Sequence, residues 1–364
     1  MRKTRDVTID IMKGILILLM VSCHAQGPGH RFFYLFHMAC FFMISGYLYQ
    51  NRNEIKLVPY IINKVRTLYI PYVICNIAYL TCFLFMPMVF EKEMCQRTVL
   101  GIVYEVIKIF FFCGRCSLSD PTWFLAVLFA VSIIYAVVNR ITINFVSDSR
   151  IRYAIINFSA IVAMAFGYIF YLLDFNWLQV GTICSSYTAF HMGNVIKKFS
   201  EEKIIQKSKI EKNFGMLSGI AAFVGVGGLL LLYNISDVEI RLITNTIVNP
   251  IYYLLGMLFG WMFLRCISIV IEKKSRLRYL FSYLGRSFLI ILCVHLAAFK
   301  VVAMIQCVWF DLPLSNISAF PVVRIEGLWW CAYTAAGICL PLLIRYLYYN
   351  AKESFLYNLN RSRD

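Results

Sequence analysis

The chain has 364 residues, of which 60% are hydrophobic and 15% charged, and its mean hydropathy is +0.71. This composition excludes an ordinary soluble globular domain, because apolar stretches of about 20 residues, the length that spans a bilayer, recur from end to end. The net charge of +16 falls mostly in loops between these stretches, so it gives no reason to expect nucleic-acid binding. The chain is predicted to be an all-α, polytopic membrane protein with one domain over residues 1–364 and no appended soluble domain.

The hydropathy pattern predicts about ten transmembrane helices. In chain order they lie near residues 8–26, 31–49, 68–90, 121–138, 152–173, 177–196, 214–234, 243–264, 286–308 and 328–349. The stretch 98–112 carries Glu105 and Lys108, so we interpret it as an interfacial or re-entrant helix. Most of the 35 Lys and Arg residues fall in alternate loops, and the positive-inside rule then places both termini in the cytoplasm.

The first predicted helix carries three ionisable side chains, Asp10, Lys13 and His24. Lys13 and His24 are three helical turns apart, so they share one face and lie roughly 16 Å apart along the axis. Such side chains are costly in hydrocarbon and are expected to face the bundle interior. Two structural interpretations remain open: a local ion pair between Asp10 and Lys13, and a His24 that caps the following turn.

The second predicted helix begins just after the short turn QGPGH, and His37 lies near its outer end. In an antiparallel helical hairpin, His37 then reaches a depth similar to that of His24. We therefore expect two imidazoles to converge on one cavity. Further along this helix, Ser45 and Gly46 form a notch of small residues that favours helix packing over catalysis.

The pattern D-x-x-K-G, with a histidine eleven residues after the lysine, and the following FHM-x-x-FFMISGY resemble the membrane-bound acyltransferase 3 family. The similarity continues in order along nearly the whole chain. It includes INKVRTLYIPY at 62–72, PTWFLAVLF at 121–129, SYTAFHMGNVIKK at 186–198 and LGRSFLIILCVH at 284–295. The family more often has Arg at the first basic position, so Lys13 lacks the bidentate fork of a guanidinium.

The resemblance implies an O-acyltransferase of the bacterial cytoplasmic membrane. It would move an acyl group, usually acetyl, from acetyl-CoA or another acyl-CoA to a hydroxyl of a cell-surface glycan or its lipid-linked precursor. No metal ion is expected, and membrane lipids are the surroundings. Some family members append an extracytoplasmic esterase-like domain that is not expected here, so any second transfer step would need a partner protein of glycan assembly.

The same resemblance suggests roles for particular side chains. His24 is predicted to be the general base and His37 the second candidate, by direct attack or through an acyl-histidine. The predicted donor-binding residues are Lys13, Lys64, Arg66 and Arg286, and the predicted site-lining residues are Asp10, Ser45, Trp123 and His295. For Lys64 and Arg66 the alternative is positive-inside anchoring, and for Trp123 it is anchoring at the membrane interface.

A secondary transporter or flippase for a glycan intermediate is the alternative class, because it also places ionisable residues along a central path. No inverted repeat is visible in the sequence, and transport gives no reason for the ordered series of motifs. The acyltransferase hypothesis is therefore favoured.

Overall fold

The computed structural model describes residues 6–49, 56–90, 98–112, 114, 116–205, 214–235 and 240–361, which form helices and no β-strand. The α-helices are α1 (Val7–His24), α2 (His30–Tyr34), α3 (His37–Tyr47), α4 (Leu57–Lys64), α5 (Ile70–Phe85), α6 (Val99–Phe110), α7 (Trp123–Phe145), α8 (Ser149–Leu172), α9 (Val180–Ile205), α10 (Phe214–Ile235), α11 (Pro250–Glu272), α12 (Ser275–Arg286), α13 (Phe288–Trp309) and α14 (Trp329–Arg361). The prediction of an all-α, polytopic membrane protein is confirmed.

Among the described residues, seven helical stretches are long and apolar enough to span a membrane. They are Val7–His24, Leu57–Phe85, Ser117–Phe145, Ser149–Leu172, Pro250–Glu272, Phe288–Trp309 and Trp329–Ser354, and a shorter apolar helix covers Gly219–Ile235. The total of ten spans stays a prediction.

The second predicted span, 31–49, is divided into α2 and α3, with the break at Leu35 and Phe36. Phe36 has a φ of −142°, outside the helical region. The Phe33 carbonyl accepts from the Phe36 N–H at 3.2 Å and contacts the His37 side chain at 2.8 Å. A side chain thus takes the place that a backbone N–H has in a continuous helix, and it fixes the His37 ring at the break.

The basic stretch before the ninth predicted span forms the separate helix α12. Its three arginines, Arg276, Arg278 and Arg286, keep it too polar for a span, and its buried face includes Ser282, Leu284 and Gly285. This face packs against α1. Arg286, predicted to begin the ninth span, instead ends α12, and the chain continues into α13 at Phe288.

Helix α1 lies at the centre of the bundle, in contact with α3, α11, α12, α13 and α14. Its contact with α12 is a reciprocal backbone contact through two glycines. A Cβ added at Gly14 would collide with the Phe281 carbonyl, and one added at Gly285 would collide with the Asp10 carbonyl. Only residues without a side chain permit this separation of the two helices.

Helices α3 and α9 repeat this arrangement. A Cβ at Gly46 would collide with the Phe190 carbonyl, and one at Gly193 would collide with the Met43 carbonyl. Gly46 therefore has the packing role expected from its notch, whereas the neighbouring Ser45 lines a cavity described below.

We predict that Gly285→Ala separates α1 from α12 and destabilises the protein by about 1–3 kcal/mol, the usual cost of overpacking. Thermal unfolding of the detergent-solubilised protein measures this as a lower Tm. Gly227→Ala in α10 is the matched control, because nothing lies within 4 Å of a Cβ at that position. Equal melting temperatures for the two variants would contradict the close-contact interpretation.

Candidate active site

A cavity of about 570 Å³, which we call the basic cavity, lies between α1, α3, α4, α7, α12 and α13. Lys13, Lys64 and Arg286 line it, and none of the described lining residues is acidic. The lining also includes the polar and aromatic side chains of Ser45, Tyr49, Tyr60 and Asn63. Three cations in one wall favour a ligand with several negative charges, such as phosphates.

The glycine contact between α1 and α12 explains why two of these cations meet. Lys13 directly precedes Gly14, and Arg286 directly follows Gly285. Because the two glycines hold the helix backbones in contact, the adjacent basic side chains reach the same cavity. Arg286 is oriented in part by its Nε, which donates to the Ser282 carbonyl at 3.1 Å.

Lys64 reaches the basic cavity from an irregular helix. It ends α4, and the next five residues, Val65–Tyr69, form a π-helical turn. Pro71 explains the turn, because it has no N–H and its ring would clash with the Thr67 carbonyl in a regular helix. The Lys64 ammonium lies 5.3 Å from the centre of the Tyr60 ring, in cation–π contact. Arg66, two residues further, is exposed and does not line the cavity.

A second cavity, of about 440 Å³, lies toward the other end of α1, and we call it the histidine cavity because His24, His30 and His37 line it. Its wall also includes Asp120, Trp123 and Arg241, and Phe320 and Pro321 from the segment between α13 and α14. The cavity thus combines imidazoles, one side chain of each charge, and aromatic surface. This mixture suits a polar ligand that carries hydroxyl groups.

The contact of His37 with the Phe33 carbonyl assigns its tautomer. A carbonyl oxygen only accepts, so the Nδ1 atom at 2.8 Å carries the proton and donates. In the neutral ring, Nε2 then carries the lone pair. His37 is 2% exposed and lines the histidine cavity, so the contact with Phe33 fixes a ring that forms part of the cavity wall.

His295 lies behind His24 and does not line the cavity. It is fully buried, and the centres of the two rings are 5.2 Å apart. Its Nδ1 donates to the carbonyls of Ile291 and Leu292, at 2.9 and 3.1 Å, so its Nε2 is the acceptor. Within the described part of the chain this buried Nε2 has no hydrogen-bond partner. His295 therefore offers a lone pair in the immediate neighbourhood of His24.

Trp123 is placed by the turn that precedes α7. Residues Ser117–Thr122 form a 3₁₀ segment, whose last residue, Thr122, accepts a hydrogen bond from the side chain of Asn76 at 3.0 Å. Asn76 is 1% exposed and also donates to the Tyr72 carbonyl. This buried amide joins α5 to the start of α7 and so fixes the position of Trp123 in the cavity wall.

The segment that supplies Phe320 and Pro321 is held by one buried amine. Lys300 of α13 is 6% exposed, and its Nζ donates to the carbonyls of Ile317, Ser318 and Ala319 at 2.9, 3.3 and 2.8 Å. Three charge-assisted bonds to consecutive carbonyls compensate for the burial of the ammonium. The segment is thereby fixed against α13 beside the histidine cavity.

The structure divides the predicted site residues between the two cavities. Lys13, Ser45, Lys64 and Arg286 line the basic cavity, and His24, His37 and Trp123 line the histidine cavity. Asp10, Arg66 and His295 line neither. Asp10 is 5% exposed, and its carbonyl takes part in the contact with Gly285.

Several lining residues were missed at the sequence level. Tyr60 precedes Lys64 by one helical turn, and this spacing was a usable signal. Asp120 and Arg241 belong to segments that connect the long helices, where no helical periodicity exists to indicate which way a side chain points. Arg345 of α14 is a further basic residue, and it lies at the basic-cavity end of the bundle. It donates to the Ser287 hydroxyl and lies over the rings of Tyr283 and Tyr349.

A helical bundle with a basic cavity toward one end of α1 and a cavity of imidazoles toward the other fits a membrane protein that transfers a group between two substrates. The sequence model of the acyltransferase 3 family, described as an acyltransferase domain, matches residues 6–346, so the chain belongs to this family. The resemblance drawn from the motifs is therefore confirmed. Neither the curated proteins nor the solved structures compared with the chain include a match.

We predict that Lys300→Met loosens the 313–323 segment. Met fills similar space without a donor, and each carbonyl left without a partner costs about 1–3 kcal/mol where it stays buried. Limited proteolysis of the detergent-solubilised protein should therefore show faster cleavage within this segment. Lys352→Met, an exposed position of α14, is the control. Equal cleavage rates in the two variants would show that the three bonds do not hold the segment.

Proposed function

We propose that the protein transfers an acetyl group from cytoplasmic acetyl-CoA to a hydroxyl of a cell-surface glycan or its lipid-linked precursor. The observation that carries this proposal is the closeness of the two cavities. Phe41 lines the basic cavity and His37, one helical turn away on α3, lines the histidine cavity. Trp123 and Phe124 are consecutive residues that line one cavity each. A donor held in the first cavity can thus present its acyl end to the second.

The basic cavity is proposed to bind the phosphates of coenzyme A. Lys13, Lys64 and Arg286 supply the charge, and the rings of Tyr49 and Tyr60 supply aromatic surface for the adenine. The donor must then be elongated, with its phosphates at the Lys13 level of α1 and its reacting carbon near His24. Those levels are roughly 16 Å apart by helical rise. An acyl thioester on the long arm of coenzyme A has this shape.

The histidine cavity is proposed to bind the acceptor and activate its hydroxyl. A sugar hydroxyl is a weak nucleophile, and a positioned imidazole addresses this by removing its proton as the bond forms. We assign this role to His24, with His37 as the second candidate. His295 is proposed to act as a positioning residue, because its own ring is fixed and packs against that of His24, with the ring centres 5.2 Å apart, and so limits the orientations of the His24 ring.

The proposed reaction is a direct transfer. The acceptor oxygen attacks the thioester carbonyl carbon while His24 takes the hydroxyl proton. The carbon–sulfur bond then breaks, the acetyl ester remains on the sugar, and the thiolate of coenzyme A leaves with the proton returned by His24. The imidazole ends the cycle neutral, as it began.

We predict that His24→Gln lowers acetyl transfer by about 10²–10⁴-fold, the usual contribution of a general base. The assay uses acetyl-CoA labelled in the acetyl group, nanodisc-embedded protein and a crude glycan fraction from the host. His30→Gln is the matched control, because His30 lines the same cavity and is not assigned a part in proton transfer, so any effect of this substitution should be confined to the acceptor KM. Binding of acetyl-CoA should be unchanged in both variants.

Normal transfer by a folded His24→Gln variant would remove the proposed base and move the role to His37. If the wild-type protein moves no label and releases no free coenzyme A, the acyltransferase proposal fails. A secondary transporter or flippase would give that second result, because transport does not consume the thioester.

We further predict that Lys64→Ala raises the donor KM about tenfold, the loss of one charge-assisted contact worth roughly 1.5 kcal/mol. Arg66→Ala should leave the donor KM unchanged. The two basic residues are close neighbours in the same helix, but only Lys64 lines the basic cavity. If both substitutions have equal effects, the lysine serves as a positive-inside anchor and does not bind the donor.

A further inference from the structure

Three phenylalanine rings meet where the two cavities approach each other. The ring centres of Phe41 and Phe288 are 5.0 Å apart, those of Phe41 and Phe124 are 5.6 Å apart, and those of Phe124 and Phe288 are 5.7 Å apart. All three residues line the basic cavity. They come from α3, α7 and α13, so three separate helices bring one ring each to the same point.

The neighbours of these residues place the three rings between the cavities. Phe41 lies one turn along α3 from His37, and Phe124 directly follows Trp123 in the chain. His37 and Trp123 both line the histidine cavity. Phe41 and Phe124 are 4% and 2% exposed. The three rings are therefore in mutual contact at the inner end of the basic cavity, on the route toward His24 and His37.

We propose that Phe41, Phe124 and Phe288 form an aromatic gate that admits unbranched acyl groups to the imidazoles and keeps water from the thioester. The proposal rests on the proposed function, because it assumes that a thioester travels from the basic cavity to the histidine cavity. It adds a substrate class, unbranched acyl donors, and names the residues that select it.

The width to which the gate must open is set by the part of the donor that lies between the three rings. When the thioester lies at the imidazoles, the unbranched end of the coenzyme A arm lies between the three rings. The rings then need to separate only by the width of a linear chain, and an acetyl group is no wider. A branched or aromatic acyl group requires a larger displacement, which a packed aromatic cluster resists because overpacking is costly.

The gate also affects hydrolysis of the thioester, the reaction that competes with acyl transfer. Water that reached the activating imidazole beside the thioester would compete with the acceptor hydroxyl, so an apolar barrier around the reacting groups favours transfer over hydrolysis. Aromatic rings in mutual contact provide such a barrier while the donor is absent. Once the arm is inserted, it fills the space that it opened, so the thioester meets the acceptor with little water present.

The experiment compares transfer from acetyl-CoA and benzoyl-CoA to the same host glycan fraction, and free coenzyme A release without acceptor. In Phe41→Leu and Phe288→Leu the benzoyl-to-acetyl ratio should rise about tenfold or more, the size of hydrophobic-pocket discrimination. Coenzyme A release without acceptor should rise in the same variants. Phe83→Leu is the matched control, because Phe83 is buried to a similar degree on α5, its ring packs against Phe90, and it lines neither cavity.

A second variant guards against a general loosening of the fold. Phe288→Trp enlarges the ring and should lower the benzoyl-to-acetyl ratio, opposite to Phe288→Leu. Opposite shifts with an unchanged control support the gate. If Phe41→Leu and Phe288→Leu show the ratio of Phe83→Leu, or if Leu and Trp at 288 shift it the same way, the gate is wrong. A wild-type protein that transfers no acetyl group at all instead removes the proposed function.

Discussion

The direct backbone contact between α1 and α12 is the constraint on which the candidate site depends. Gly14 and Gly285 bring the helix axes closer than any side chain permits, and each glycine is next to a cation of the basic cavity. The packing of the two helices thus brings both basic side chains to one cavity. In the proposed function, the site for the donor phosphates is therefore in place before the donor binds.

The second glycine contact, between α3 and α9, fixes the helix that connects the two cavities. Gly46 and Gly193 hold α3 near its C-terminal end, and the break before His37 defines its N-terminal end. Between these points α3 presents Ser45 and Phe41 to the basic cavity and His37 to the histidine cavity. A helix fixed at both ends keeps these three side chains in constant register. This explains why a short helix of 11 residues suits the position better than a full span.

The sequence predicted the helical class well because hydropathy is a property of long windows, to which many residues contribute. It also predicted that His24 and His37 reach one cavity, since the short turn between their helices limits their separation. It failed for the helix break at Phe36 and for α12. In both places a local hydrogen bond or a glycine contact decides the structure, and neither leaves a periodic signal. Arg66 differs from these two cases, because side chains two residues apart point to different faces of a helix, and its distance from Lys64 was therefore a usable signal that only one of the two lines the cavity.

A transfer site that receives its substrates from both sides of a membrane must meet two opposite requirements at the place where the substrates react. The reacting groups must meet, yet the aqueous spaces that deliver them must stay separate. In this protein α1 carries Lys13 to the basic cavity and His24 to the histidine cavity, while the apolar rings of Phe41, Phe124 and Phe288 are proposed to lie between the cavities. The polar side chains thus line the two cavities, and the three apolar rings lie at the boundary between the cavities. In the proposed function an elongated donor crosses that boundary, so the shape of the donor, more than its charge, would decide when the two cavities become one site.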